Sequence, residues 1–307
     1  EAGRLELPLD VGIIINRETG FTLANIDFQP FSIPEMSEAL SGPKPLLGFQ
    51  FPVSGRVSVQ LNAQGTAEKM RLELNAGRGQ IALPGILAAP VPVASAELKA
   101  TLDPSSLVLS IDRLDYNSGV VQARASGRVE MTDAGPDLDM VFEGDDLPVV
   151  LIPAYWPVDR AAGVRNWIEA HLLGGRADQV RAHLDMRPEY WSLQVPPDQS
   201  LDVQLTFRDA RVALYEPYDD ITGGSGSVAV TGRTLNVSMD QGRSAGLTLS
   251  DGVLRIDDFG KAAPLLTTEF VGEGTIAASV AASVRGALAR SVGGAPDVSG
   301  LSGDAAT

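Results

Sequence analysis

The sequence predicts a mainly β protein: a long antiparallel meander curled into a groove or an open barrel, with one central amphipathic helix and a C-terminal segment at helical spacing. Three observations predict it. Apolar and polar residues alternate through almost the whole chain, the pattern of strands with one apolar and one polar face. Glycine (32) and proline (20) supply many short turns. Only one long stretch, Pro153 to Asp178, departs from the alternation.

Taken in order, the chain opens at EAGRLELPLD with no initiator methionine and no signal-peptide pattern. It reads as a piece of a longer chain whose anchor lies outside it. Residues 28–52 are proline-rich and read as a loop with one helical turn at Pro34 to Leu40. Alternation then puts Val57, Val59, Leu61 and Ala63 on one face, followed by Met70, Leu72 and Leu74. The apolar PGILAAPVP at 84–92 reads as a kinked edge or lid. Leu107, Leu109 and Ile111 form the next set, then Leu138, Met140 and Phe142. NSG at 117–119 and DG at 251–252 read as hairpin turns, where Asn, Asp and Gly tolerate positive φ. The dipeptide Gly-Arg recurs in SGRVSV, SGRVEM, GGRADQV and TGRTLNV, and reads as a marker of strand starts.

The second half continues with Val180, Ala182, Leu184 and Met186, then Leu201, Val203, Leu205 and Phe207. Leu235, Val237 and Met239 follow, then Leu247 with Leu249 and Leu254 with Ile256. Thr275 to Ser291 carries small and apolar residues at helical spacing: a helix, or a strand end bending into one. The small, polar tail is expected to be mobile. This divides the chain into an N-terminal β segment at 1–147, a helix-containing β segment at 148–291 and a flexible tail at 292–307.

In the central stretch Pro157 precedes a helix, Asp159 is the N-cap and Gly174-Gly175 is the stop. Val164, Trp167, Ile168, His171 and Leu172 fall on one stripe; Arg160, Arg165, Asn166 and Glu169 take much of the rest. Tyr155, Trp156, Val164, Trp167, Ile168 and Leu172 are expected to pack this helix against the sheet.

Charge and composition exclude several functions. A net charge of −15 repels a phosphate backbone, so no nucleic-acid partner is expected. Without cysteine there is no disulfide, thiolate nucleophile or Cys-type zinc site. No run of 18 apolar residues is present to span a bilayer as a helix. His171 and His183 have no metal-site spacing, and no Gly-x-Ser-x-Gly elbow occurs. GGSGS at 223–227 lacks the Lys-Ser/Thr ending and following helix of a phosphate loop. Asp145-Asp146, Asp219-Asp220 and Asp257-Asp258 are adjacent pairs that suit turns better than acid–base work. No catalytic residue, metal or cofactor is expected.

The stretch YWPVDRAAGVRNWIEAHLLGGRADQVRAHLDM resembles the helix-containing signature of the large YhdP-type members of the AsmA-like superfamily, at Tyr155, Trp156, Pro157, Arg165, Trp167, Gly174 and Gly175. The continuation from Phe207 to Phe259 is similar to the family's later strands and glycine-rich hairpins, with Asp219-Asp220 where a second proline is usual. The likeness is best over 148–280 and weaker from about 53. It implies a non-enzymatic, periplasmic segment of a bridge-like lipid transport protein, anchored to the inner membrane by a segment outside this one. Phospholipid acyl chains would run along an apolar β-groove between inner and outer membrane, with neighbouring segments of the same chain, and an envelope protein, as further partners.

On that reading the groove-lining residues are Val57, Val59, Leu61, Leu72, Leu74, Leu107, Leu109, Ile111, Leu184, Met186, Leu201, Val203, Leu205, Phe207, Leu235, Val237 and Met239. A closed, non-catalytic β-sandwich serving envelope assembly requires the same alternation. The inward Val, Leu, Ala and Met favour the groove, because a sandwich fills its interior with larger residues. A glycosidase would need two carboxylates ~5–9 Å apart on the apolar side, and none is expected there.

Overall fold

Alternating segments become strands, and short connections make successive strands antiparallel neighbours. The computed structural model describes residues 9–15, 21–35, 47–160, 162–193, 195–214, 219–258, 261, 265–284 and 304–306. Its strands are β1 (Leu9–Ile15), β2 (Thr22–Ser32), β3 (Phe49–Gln50), β4 (Pro52–Leu61), β5 (Ala67–Ala76), β6 (Gly79–Ile81), β7 (Val91–Val93), β8 (Ser95–Asp103), β9 (Val108–Asn117), β10 (Gln122–Thr132) and β11 (Gly135–Gly144). They continue with β12 (Leu147–Pro148), β13 (Leu172–Met186), β14 (Leu201–Val212), β15 (Ile221–Thr231), β16 (Leu235–Ser244), β17 (Leu247–Ile256), β18 (Leu266–Thr275) and β19 (Asp304–Ala306). The protein is mainly β, and its main strands follow one another as a long antiparallel meander.

The chain divides into two units. The first comprises Glu1–Gly144, Ala154–Asp159 and Ala182–Leu193. Its sheet runs β1-β2-β4-β5-β8-β9-β10-β11, followed by the last residues of β13, and β3-β6-β7 form a separate small sheet. Trp191 Nε1 donates to Pro136 O at 2.6 Å, fastening the turn Pro188–Ser192 to β11. The second unit comprises Asp145–Pro153, Arg160–Arg181 and Gln194–Thr307, with the order β13 to β19 and β12 beside β13. Among the described residues β1 pairs with β2 alone and β19 with β18 alone, so the meander is open-edged and not a closed barrel.

Several local expectations are corrected. Asp251-Gly252 is not a hairpin turn but a bulge inside β17, which shifts its register against β18. Ala245-Gly246 makes the hairpin instead. The bulge lets Leu247 and Leu249, of one parity, share a face with Leu254 and Ile256, of the other. The SGR motifs lie inside strands, not at their starts. A Cβ on Gly127 would stand 2.1 Å from the Asp139 carbonyl oxygen of the neighbouring strand, at a φ of 143°. Only glycine lets the backbones approach that closely.

The central helix runs Ala162–His171, starting after the expected Asp159 cap and ending before Gly174-Gly175, which lie within β13. Its C-terminus is closed by His171, whose ring stacks on Trp167 at 4.9 Å and whose Nδ1 lies 2.9 Å from the Trp167 carbonyl oxygen. Gly175 is required because a Cβ there would lie 2.8 Å from Ala210 Cα. Arg165, expected on the polar face, is the buried residue of the helix. Its Nε donates to the Pro153 carbonyl oxygen (3.3 Å) and its Nη1 to Glu169 (3.1 Å), which satisfies the charge.

In the proline-rich segment β2 continues to Ser32 and a helical turn occupies residues 33–35; the expected turn beyond Glu35 lies outside the described residues. The helix Ile276–Val284 follows β18 directly, with Thr275 Oγ1 accepting from the Ala278 amide (3.2 Å) as an N-cap. Within the tail expected to be mobile, Asp304–Ala306 pairs with Glu273–Thr275. Residues 292–303 and 307 lie outside the described residues.

Candidate functional site

Strand registers convert the alternation into rows that cross the sheet. In the first unit, Ile13, Ala24, Val59, Met70, Leu102, Leu109, Val129 and Leu138 are successive cross-strand partners over eight strands. A second row is Val11, Ile26, Val57, Leu72, Ala100, Ile111, Gly127 and Met140. A third is Leu9, Phe28, Gly55, Leu74, Leu98, Leu114, Ala125 and Phe142. At roughly 4.8 Å per strand each row extends about 34 Å. A bulge at Asp112 in β9 keeps Leu109, Ile111 and Leu114 on one face despite their spacing.

The second unit repeats the arrangement. Val203, Val230, Leu235 and Ile256 form one row, and Leu205, Val228, Val237 and Leu254 another. Phe207, Gly226, Met239 and Gly252 form a third. In β14 the pattern is strict: Leu201, Val203, Leu205 and Phe207 are half-buried while Asp202, Gln204, Thr206 and Arg208 are exposed.

Burial of these rows is incomplete. Ala100, Ala125 and Met140 are buried, but Val57, Val59, Leu61, Leu72, Leu74, Leu109 and Ile111 are only half-buried, and Val11 and Ile13 are exposed. A sheet normally buries its apolar face against a second layer. Here these side chains are only half-buried, so part of each stays in contact with water. One end of the first unit's face is covered. Tyr116, in the row with Ala96 and Ala123, donates its hydroxyl to the Pro92 carbonyl oxygen of β7 (2.5 Å). Tyr155 packs edge-on against it at 6.2 Å, their hydroxyls 3.2 Å apart. Burial, with the Tyr155 hydroxyl alongside, pushes the Tyr116 phenol above its ordinary value.

Of the expected lining residues, Leu184 is half-buried and Met186 buried in β13, and Leu235, Val237 and Met239 are half-buried in β16. Leu107 stands apart: it is a turn residue with φ 54°, 54 % exposed, just before β9. The turn from β8 consumes it, so the strand face begins at Leu109. Val164, Trp167 and Ile168 on the helix and Trp156 before it are half-buried, as is Leu172, which opens β13 rather than closing the helix. Sequence reasoning missed the rows contributed by β1, β2 and β8; Val11, Ile13, Ala24 and Ile26 do alternate, a signal readable in advance.

The other face is ionic. Asp27 pairs with Arg56 (2.8 Å), and Asp115 with Arg113 and Arg124. The adjacent acids are likewise taken up by arginine: Asp146 by Arg176 and Arg208, Asp220 by Arg211 (2.9 Å) and Asp258 by Arg233 (2.9 Å). Hydrogen bonds from Arg176 and Arg113 hold the Asp146 and Asp115 carboxyls below the usual carboxylate value. His183 Nε2 meets Asp139 at 2.8 Å on the exposed surface. Among the described residues no cluster of His, Asp and Glu has metal-site geometry, and no helix is long and apolar enough to cross a membrane.

The fold and site define a class: an open antiparallel meander that offers long apolar rows on one face and an ion-paired surface on the other. The family model described as YhdP protein matches residues 50–306, and the chain belongs to the YhdP family. No curated protein and no solved structure matches it.

Proposed function

We propose that the apolar rows hold lipid acyl chains, and that the chain is a non-catalytic periplasmic segment of a lipid-transport protein of the bacterial envelope. The observation that carries the reading is the half-exposed state of rows such as Leu205, Val228, Val237 and Leu254. Each methylene moved from water onto such a row gains about 0.8 kcal/mol at full burial, so a long chain lying across several strands gains several kcal/mol. The rows run across the strands, so sliding along them exchanges one apolar contact for a similar one. Membership of the YhdP family is consistent with an envelope protein. Phospholipid is the proposed cargo, and neighbouring segments of a longer chain would extend the same rows.

Native mass spectrometry with lipid extraction, on the 307-residue chain exported to the periplasm, tests this. Co-purifying phospholipid is expected. A folded chain free of lipid, and unable to take it up from vesicles, would favour an assembly module whose apolar face is covered by protein.

A further inference from the structure

On the polar face of the second unit, one row differs from the ion-paired surface around it. Thr222 of β15, Arg243 of β16 and Thr248 of β17 are successive cross-strand partners, with Glu273 of β18 beyond them. Thr222, Arg243 and Thr248 are exposed, whereas Gly242 and Leu249, one residue away, are buried on the other face. A cavity of about 280 Å³ is lined by Thr222, Gly223, Gln241, Gly242, Arg243 and Thr248.

The cavity has a structural cause. Between the pairs Thr222↔Arg243 and Ser225↔Gln241, Gly223 and Gly224 stand opposite Gly242 alone. This bulge interrupts the ladder. Gly223, at φ 61°, adds no side chain, and a Cβ there would meet nothing within 4 Å.

Its chemistry is that of hydrogen-bond donors. Arg176, Arg208, Arg211 and Arg233 of the same unit each pair with an aspartate. Arg243 makes no side-chain hydrogen bond or ion pair among the described residues, and neither the Gln241 amide nor the Thr248 hydroxyl is used, whereas the Thr222 hydroxyl donates to the Arg243 carbonyl oxygen at 3.4 Å. Those four arginines lean on aspartate, and Arg243 does not. A planar guanidinium flanked by a free hydroxyl and an amide matches a group that only accepts, with oxygens at bidentate spacing. Glu273 lies two strands from Arg243, roughly 10 Å, and on the Thr222 side the Asp220 carboxylate is already paired with Arg211 at 2.9 Å.

We propose that this cavity is a phosphate-recognition site in which Arg243 is the principal donor, with Gln241 and Thr248 completing the cradle and Thr222 forming its wall. It stands on the polar face and does not depend on lipid occupying the apolar rows. The phosphate is that of a lipid head group or a free phosphate ion.

Calorimetric titration of the 307-residue chain with inorganic phosphate, beside flotation with phosphatidylglycerol vesicles, tests it. Arg243→Ala is expected to weaken phosphate binding at least about tenfold, in line with charge-assisted hydrogen bonds, and Arg243→Lys to restore part of it. Vesicle binding that falls with Arg243→Ala supports the site with a lipid head group as its ligand. Phosphate binding that depends on Arg243, without vesicle binding, supports it with a free ion. Equal phosphate affinity in wild type and Arg243→Ala, at unchanged melting temperature and with vesicle binding unaffected, overturns it, as does a wild-type chain that binds neither phosphate at millimolar concentration nor the vesicles. Neither overturning result touches lipid uptake by the apolar rows, which the extraction experiment reads separately.

Discussion

Val237→Asp is the sharpest perturbation of the apolar face. Val237 sits in the middle strand of the row Leu205, Val228, Val237 and Leu254, half-buried between Val228 and Leu254. A carboxylate there stays hydrated and holds water over about one strand spacing, roughly 4.8 Å of a bound chain. That stretch is on the order of four methylenes, so at ~0.8 kcal/mol each the loss is about 3 kcal/mol, roughly a hundredfold in affinity. The folding cost is smaller, about 1–2 kcal/mol, because the valine is already half in water. Ser238→Asp is the matched control: the next residue is exposed on the opposite face, between Ser227 and Val253. The assay is transfer of a fluorescent phospholipid from vesicles, alongside thermal melting of each variant. Val237→Asp is expected to abolish transfer and Ser238→Asp to leave it near wild type. Equal loss in both, or undiminished transfer in Val237→Asp, would refute the argument that this face carries the chains.

Two further outcomes follow from the fold. Gly127→Ala forces a Cβ to within 2.1 Å of the Asp139 carbonyl oxygen at a φ of 143°, so the strands must separate. A loss of about 2–4 kcal/mol in a urea titration is expected, far above an exposed-strand Gly→Ala change. The Asp146 and Asp115 carboxyls are lowered in the fold from an ordinary value of 3.8 by their arginine partners. A folded state that binds fewer protons keeps this contribution above about pH 4 and loses it as pH falls through the lowered values. Melting temperature should therefore decline below about pH 4, and Asp146→Asn should flatten part of that decline; an unchanged pH profile in the variant would remove Asp146 from the account.

The period-2 alternation by itself determined that this chain makes long antiparallel strands with one apolar face, because side chains of a strand point alternately to either side. It also assigned Val57, Val59, Leu72 and Leu74 to one face correctly, since β4 and β5 pair nearly without interruption. Interruptions were not legible. Asp251-Gly252 has the composition of a hairpin turn and is a bulge, because the choice depends on whether β16 and β18 continue alongside. Gly174-Gly175 has the composition of a helix stop and lies in a strand pressed against Ala210. Arg165 looked solvent-facing until the Pro153 carbonyl and Glu169 came within reach.

Only the tertiary structure decided that single faces become rows. A row exists when the registers of neighbouring strands agree, and a shift of one residue would send every side chain to the other side. The same is true of Arg243, an ordinary strand arginine in sequence. Its freedom from any carboxylate is set by which residues the adjoining strands place opposite it, Thr222 and Thr248.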